Sequence, residues 1–136
     1  MADWYINNKN LPADKVPYWD FNADQAGYTP GVNSHAKDSS FKYRDASAAA
    51  ITASALFELS GYAGASGKAY REVAIKILHS LAGPKYLASA GTNGNFLLKH
   101  SVGSLAHGNE IDVPIVYADY YFLEALTRYR KWLEKG

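Results

Sequence analysis

The chain has 136 residues, 14 Lys and Arg against 13 Asp and Glu, a formal net charge of +1, and 48% hydrophobic residues. That balance suits one folded domain and excludes global disorder, and a charge this small supplies no field to hold nucleic acid or an anionic membrane surface. The lack of cysteine removes disulfide frameworks and thiolate metal sites, and no stretch approaches the roughly 20 apolar residues of a membrane span.

Residues 1–15 read as the last turn of a helix (Ala2, Trp4, Tyr5, Ile6) followed by the turn formers Asn7, Asn8, Asn10 and Pro12, as if more chain belonged upstream. The first residues, MADWYINNKN, lack the basic start and apolar run of a signal peptide. With no cysteine, a cytoplasmic location is expected, although an export signal of a longer parent would fall outside this chain.

Residues 16–43 are broken by Pro17, Gly27, Pro30, Gly31, Asn33 and Ser34, yet carry Tyr18, Trp19, Phe21, Tyr28, Phe41 and Tyr43. A linker is not this aromatic, so the stretch predicts an ordered loop that covers something. Residues 45–61 predict a helix with Asp45 or a neighbour as N-cap and Gly61 past its end. Its small residues (Ala46, Ala48, Ala49, Ala50, Ala53, Ala55) invite close helix packing on more than one side. Residues 67–82 are amphipathic, with Tyr70, Val73, Ala74, Ile77, Leu78 and Leu81 on one face, and Gly83-Pro84 stops them.

Residues 85–112 read as irregular, with a tight turn at Asn93-Gly94 and a short strand or extended arm at Phe96, Leu97 and Leu98. Residues 113–134 predict a helix capped by Asp112, with Pro114 in its first turn. Its apolar run from Ile115 to Leu126 suits an interior. The basic residues Arg128, Arg130, Lys131 and Lys135 suit its C-terminus.

The order is thus buried helix, amphipathic helix, buried helix, with long loops between. Helical hairpins of about 50 residues arranged in a ring have this alternation, and a ring of six needs on the order of 300 residues. This chain holds only about two and a half at that size. The expected class is all-α with little or no β structure, an incomplete toroid of two to three hairpins.

Three blocks carry a family resemblance. VPYWDF at 16–21, RDASAAAITASALFELS at 44–60 and HSVGSLAHGNEIDVPIVYADYYFLEAL at 100–126 resemble, in order, segments of the unsaturated glucuronyl hydrolases, a glycoside hydrolase family 88-like group. The resemblance covers nearly the whole chain, and residues 1–136 look like the C-terminal fragment of one α/α six-hairpin toroid. It implies the removal of a terminal unsaturated uronic acid from lyase-derived oligosaccharides. An aspartic acid protonates C4 of the C4=C5 double bond, water adds at C5, and the hemiketal opens. Ordinary glycosidases instead protonate the leaving oxygen. Such an acid must be kept protonated by an apolar pocket.

The family's catalytic aspartates lie in its N-terminal half and map onto no residue here, so no catalytic residue is assigned and the isolated chain is expected to be inactive. The resemblance implies substrate contact by the serines of the loop before the last helix, here Ser101 and Ser104. Gly103 would allow close backbone approach. Ala106 stands where some relatives place a lysine, which puts recognition of sulfate in doubt. The alternative for both serines is loop capping.

His100 and His107 flank that loop as possible donors to a sugar. Trp19 is a stacking ring or, given Tyr18 and Phe21 beside it, a core residue. Asp20 with Asp24, and Glu110 with Asp112, are close enough in sequence to be read as carboxylate pairs, but such spacing is common by chance. Asp45 has a capping role, Arg44 invites a carboxylate partner, and Asp119, in an apolar helix, needs a hydrogen-bonding network. No metal or cofactor is expected, because the histidines are not at ligand spacing. The expected partners are an unsaturated uronic-acid oligosaccharide and either the missing N-terminal half or a second copy. An unsaturated rhamnogalacturonyl hydrolase or other toroid glycosidase, and a non-enzymatic helical interaction module, stand as alternatives.

Overall fold

The computed structural model describes residues 1–38 and 42–134, so Phe41 of the aromatic loop and Lys135 of the basic cluster lie outside the described residues. In chain order the elements are α1 (Ala2–Asn7), α2 (Ala46–Leu59), α3 (Gly67–Leu81), the strands β1 (Ser101–Ser104) and β2 (Asn109–Val113), and α4 (Val116–Leu133). Among the described residues no helix is long and apolar enough to cross a membrane.

Asp45 starts α2 as expected. It is extended (φ −116°, ψ 95°), and its carboxylate accepts the amides of Ser47 and Ala48, which satisfies two donors that the helix itself cannot. Ala46, Ala49, Ala50 and Ala53 are fully buried. Their small size lets α3 and α4 pack against α2, which is the central helix of the three. Bulk comes from Leu56 and Phe57 at one end, where Phe57 stacks on Tyr129 of α4 at 5.5 Å. A polar clasp joins the same two helices. The Ser54 hydroxyl donates to Glu124, and Arg128 donates to the Ser54 carbonyl at 2.7 Å while pairing with Glu58 at 2.6 Å.

The amphipathic reading of α3 holds. Tyr70, Ala74, Ile77, Leu78 and Leu81 are buried, and full burial of an Ile or Leu side chain contributes about 1.5–3 kcal/mol. The connection from α2 is tight, because a Cβ on Gly67 would sit 2.3 Å from the Ser60 carbonyl oxygen. The Tyr70 hydroxyl donates to Asp3 at 2.8 Å and ties α1 to this layer.

Two expectations need correction. Asp112 does not cap the last helix. Asp112 and Val113 belong to β2 and Pro114 follows the strand, so α4 begins at Val116 with Ile115 as an N-cap that makes no side-chain hydrogen bond. Nor is α4 interior all round: Ala118, Phe122 and Ala125 are buried, but Val116, Tyr120 and Leu123 are 71%, 60% and 52% exposed. Ile51 and Leu59 of α2 are likewise exposed. Both helices show apolar surface that this chain leaves uncovered.

Residues 101–113, read as a polar loop, form an antiparallel hairpin. Ile111 and Val113 alternate with Glu110 and Asp112, the period of a half-buried strand. A bulge places Asp112 as an extra residue between the pairs Ser101–Val113 and Val102–Ile111. The aromatic loop lies over this hairpin, with Trp19 and Tyr43 packed on the buried residues Ala36, Val102 and Leu105. Before the hairpin, Asn93 and Gly94 take positive φ (53° and 62°), closed by the Asn95 amide on the Thr92 carbonyl at 2.9 Å. That is the tight turn expected there, and Leu98 forms only a single bridge, to Leu87.

Gly67→Ala is expected to cost about 1–3 kcal/mol, the range for overpacking, read as a lower denaturant midpoint. A gain, as at open helical positions, would mean that α3 moves freely away from Ser60.

Candidate functional site

The hairpin and the segments around it gather most of the residues singled out from the sequence. Its anchor is Asp45. The carboxylate oxygen that caps α2 also accepts the Val102 amide at 3.3 Å and the Ser47 hydroxyl at 2.6 Å, and the Ala46 amide donates to the His100 carbonyl at 3.0 Å. The start of α2 therefore holds the start of β1. Arg44, the preceding residue, pairs with Asp14, donates from Nε to the Val16 carbonyl at 3.0 Å, and lies over the Tyr18 ring. Asp14 also accepts the Tyr86 hydroxyl at 3.2 Å and sits 3.7 Å from Lys85. Asp45 and Arg44 thus have full structural employment.

His100 and Asp112 meet at the open end of the hairpin, with Nδ1 2.7 Å from Oδ1. A carboxylate only accepts, so Nδ1 carries the proton and Nε2 is left for another partner. Both residues are 40% exposed at their side chains. Both also hold left-handed backbone, φ 62° and 54°, as does Glu110 at 50°. Such geometry costs non-glycine residues roughly 1 kcal/mol or more each and is found where the surroundings impose it. The Tyr86 ring stands edge-on to the His100 imidazole at 6.3 Å.

A cleft of about 190 Å³ opens beside this pair, lined also by Lys42, Tyr43, Arg44, Lys85 and Tyr86. Its charges are largely matched, with Arg44 and Lys85 beside Asp14, Lys42 paired with Asp24 and Asp112 on His100, but the half-exposed ammonium groups of Lys42 and Lys85 and the His100 Nε2 can still meet a polar or anionic ligand. Burial pushes the Tyr86 hydroxyl well above the usual tyrosine range, so it stays a donor.

The other candidates fall at separate places. Ser101 is fully buried, and its hydroxyl has no hydrogen-bond partner among the described residues. Ser104 is half-buried and lies 3.0 Å from His107 Nδ1. Gly103 is exposed but not open, because the Glu110 side chain folds over it, with Oε2 where a Cβ would stand. Trp19, half-buried within the loop itself, packs on Ala36, Val102 and Leu105 and meets Tyr28 edge-on at 6.4 Å.

Asp20 and Asp24 do not work as a pair. Asp20 accepts the Tyr28 hydroxyl at 2.8 Å, and Asp24 pairs with Lys42, whose hydrogen bond holds its carboxyl below the usual range. Asp119 forms the network expected of it, accepting the Leu97 amide at 2.7 Å and the Leu98 amide at 2.9 Å. No group of three His, Asp or Glu that could hold a metal occurs among the described residues. Lys42, Lys85 and Tyr86 were missed from the sequence, where nothing brings them next to His100.

Comparison with known proteins gives a consistent picture. No protein-family model matches the chain. A protein named unsaturated glucuronyl hydrolase from Formosa agariphila is 46% identical over 127 residues, 93% of this chain and 28% of its own length. The crystal structure of an unsaturated glucuronyl hydrolase specific for heparin has a TM-score of 0.81 and 44% identity, covering 98% of this chain and 32% of that one. An Asp→Asn variant of a Streptococcus agalactiae unsaturated glucuronyl hydrolase, complexed with dGlcA-GalNAc6S, has a TM-score of 0.73 and 30% identity, covering 95% of this chain and 31% of that one. The chain therefore spans about 28–32% of the length of these relatives.

The fold is that of a stretch of an α/α toroid of the glycoside hydrolase kind. Over nearly its whole length the chain is homologous to a segment of the unsaturated glucuronyl hydrolases.

A buried hydroxyl without a partner costs about 1–3 kcal/mol. Ser101→Ala is therefore expected to leave stability unchanged or raise it, and a loss above about 1 kcal/mol in denaturant unfolding would show that the hydroxyl is bonded in solution. Burial and the Asp20 hydrogen bond push Tyr28 up to about 12. A raised pKa favours the neutral phenol in the fold. Its contribution is complete below the ordinary tyrosine value of about 10 and is lost as pH rises toward about 12. Over that window Tyr28→Phe is expected to lose stability less steeply with pH than the parent chain; parallel curves would contradict the assignment.

Proposed function

We propose that this chain is the C-terminal part of a glycoside hydrolase that removes unsaturated 4,5-uronic acid from lyase-derived oligosaccharides by hydrating the C4=C5 double bond. It supplies substrate-contact residues and is inactive alone. The observation that carries the reading is the cleft at His100 and Asp112, with the half-exposed Lys42 and Lys85 at its edge. It sits on the segment most like the family's C-terminal signature and suits a sugar bearing a carboxylate. In this reading His100 Nε2 hydrogen-bonds the sugar, Lys42 and Lys85 attract its carboxylate, and Ser104 and Gly103 on the hairpin rim complete the contact. Ser101 and Trp19 take part by shaping the hairpin. The acid that protonates C4 comes from residues outside this chain. Relatives of this segment include a structure complexed with dGlcA-GalNAc6S, which supports an acidic oligosaccharide as the ligand.

The exposed apolar residues of α2 and α4 support the same reading over a free-standing interaction module. A self-sufficient monomer has no need of Val116, Tyr120 and Leu123 at its surface, whereas a toroid covers them with further helices or a second copy.

The test is reconstitution. The chain is mixed with a polypeptide covering the remainder of a relative, and loss of the double bond's ultraviolet absorbance is followed on unsaturated glycosaminoglycan disaccharides. Turnover is expected from the mixture and not from the chain alone, and His100→Ala in the mixture is expected to lower kcat/KM about tenfold or more. Turnover by the chain alone would overturn the fragment reading. Loss of the double bond only with rhamnogalacturonan products would move the assignment to an unsaturated rhamnogalacturonyl hydrolase.

A further inference from the structure

At the opposite end of α2, one helix length or about 20 Å from Asp45, a larger cleft of about 490 Å³ lies between the ends of α2 and α4 and the start of α3. Three features set it apart from ordinary surface. Two of its lining residues, Phe57 and Trp132, end a row of stacked rings that runs through Tyr129: Phe57 on Tyr129 at 5.5 Å, then Tyr129 on Trp132 at 5.9 Å, tilted by only 16°. The Arg71 guanidinium lies 4.9 Å above the Trp132 ring, and its Nε is buried without a hydrogen-bond partner among the described residues. Lys131 lines the same cleft and has no ion-pair partner among the described residues. The third cation, Arg128, is neutralised by Glu58 at 2.6 Å and Glu124 at 3.5 Å. Arg71, Arg128 and Lys131 thus stand against Glu58, which also lines the cleft, and Glu124, for a net charge of +1. Nε of Arg71 is enclosed, so an acceptor in the cleft would be met by the terminal nitrogens of its guanidinium, which can donate charge-assisted hydrogen bonds. The ring surface beside it suits a flat or ring-shaped molecule, and Tyr62, 82% exposed, forms another part of the wall.

We propose that this cleft is a second binding site, for a six-membered ring carrying a carboxylate or sulfate, with Arg71 and Lys131 holding the anion and Trp132 stacking on the ring. The site does not rest on the hydrolase reading, since none of its residues belongs to the His100 cleft.

The intact 136-residue chain is titrated with D-glucuronate, glucose and inorganic sulfate while its tryptophan indole N–H resonances are followed, with Trp132→Phe used to assign the Trp132 signal. Glucuronate is expected to shift Trp132, glucose to shift it far less, and sulfate to compete without shifting it as a stacked ring does. Arg71→Met and Lys131→Ala are each expected to weaken glucuronate binding about tenfold, and a change at the exposed Lys9, Lys9→Ala, to leave it unchanged. Circular dichroism checks folding. Should Arg71→Met unfold, the exposed Lys131 decides the matter. The proposal is overturned if glucuronate leaves Trp132 unmoved, if sulfate binds as tightly as glucuronate, if Lys131→Ala has no effect, or if Lys9→Ala weakens binding as much as Lys131→Ala.

Discussion

One carboxylate oxygen, Oδ1 of Asp45, joins the helical and the β parts of this molecule. It accepts the Ser47 and Ala48 amides at the head of α2, the Ser47 hydroxyl, and the Val102 amide of β1. A capping interaction alone contributes about 0.5–2 kcal/mol. Here the same atom also fixes where the hairpin leaves the helix layer, and the neighbouring Ala46–His100 backbone bond repeats the constraint. Arg44 extends it to the N-terminal segment through Asp14 and Val16. The Arg-Asp pair that opens the family-like block at 44–60 is thus a structural junction, and the backbone at His100 is held in position by it.

Much of the fold was legible because its signals are local. The small-residue face of α2, the 3.6-residue period of α3 and the Asn93-Gly94 turn each follow from side-chain size or backbone preference within a few residues. The aromatic loop was read as covering something, and it covers the hairpin. The hairpin itself was missed. Three of the residues in and before it hold left-handed backbone without being glycine, and the alternation of Ile111 and Val113 was overshadowed by Pro114, which made Asp112 resemble a helix cap. Asp112 instead serves His100, a pairing set by the bulge and invisible in linear spacing.

The cleft was only half legible for a related reason. His100 and Asp112 stood out, but Lys42, Lys85 and Tyr86 come from segments far apart in the chain and meet only because Asp14 gathers Arg44, Lys85 and Tyr86 around itself. Ser101 and Ser104, grouped by their Ser-x-x-Ser spacing, part company in space. One is sealed under the hairpin and the other sits on its rim beside His107. A spacing of three residues places two side chains on one face of a helix but not of a strand.

The grip of Asp119 on two successive amides, Leu97 and Leu98, ties α4 to the segment before the hairpin. Asp119 rides on the first turn of α4, next to the exposed Val116 and Tyr120, and Leu98 lies two residues before His100. The position of the first turn of α4 and that of the Leu97–Leu98 arm leading to His100 are therefore set together.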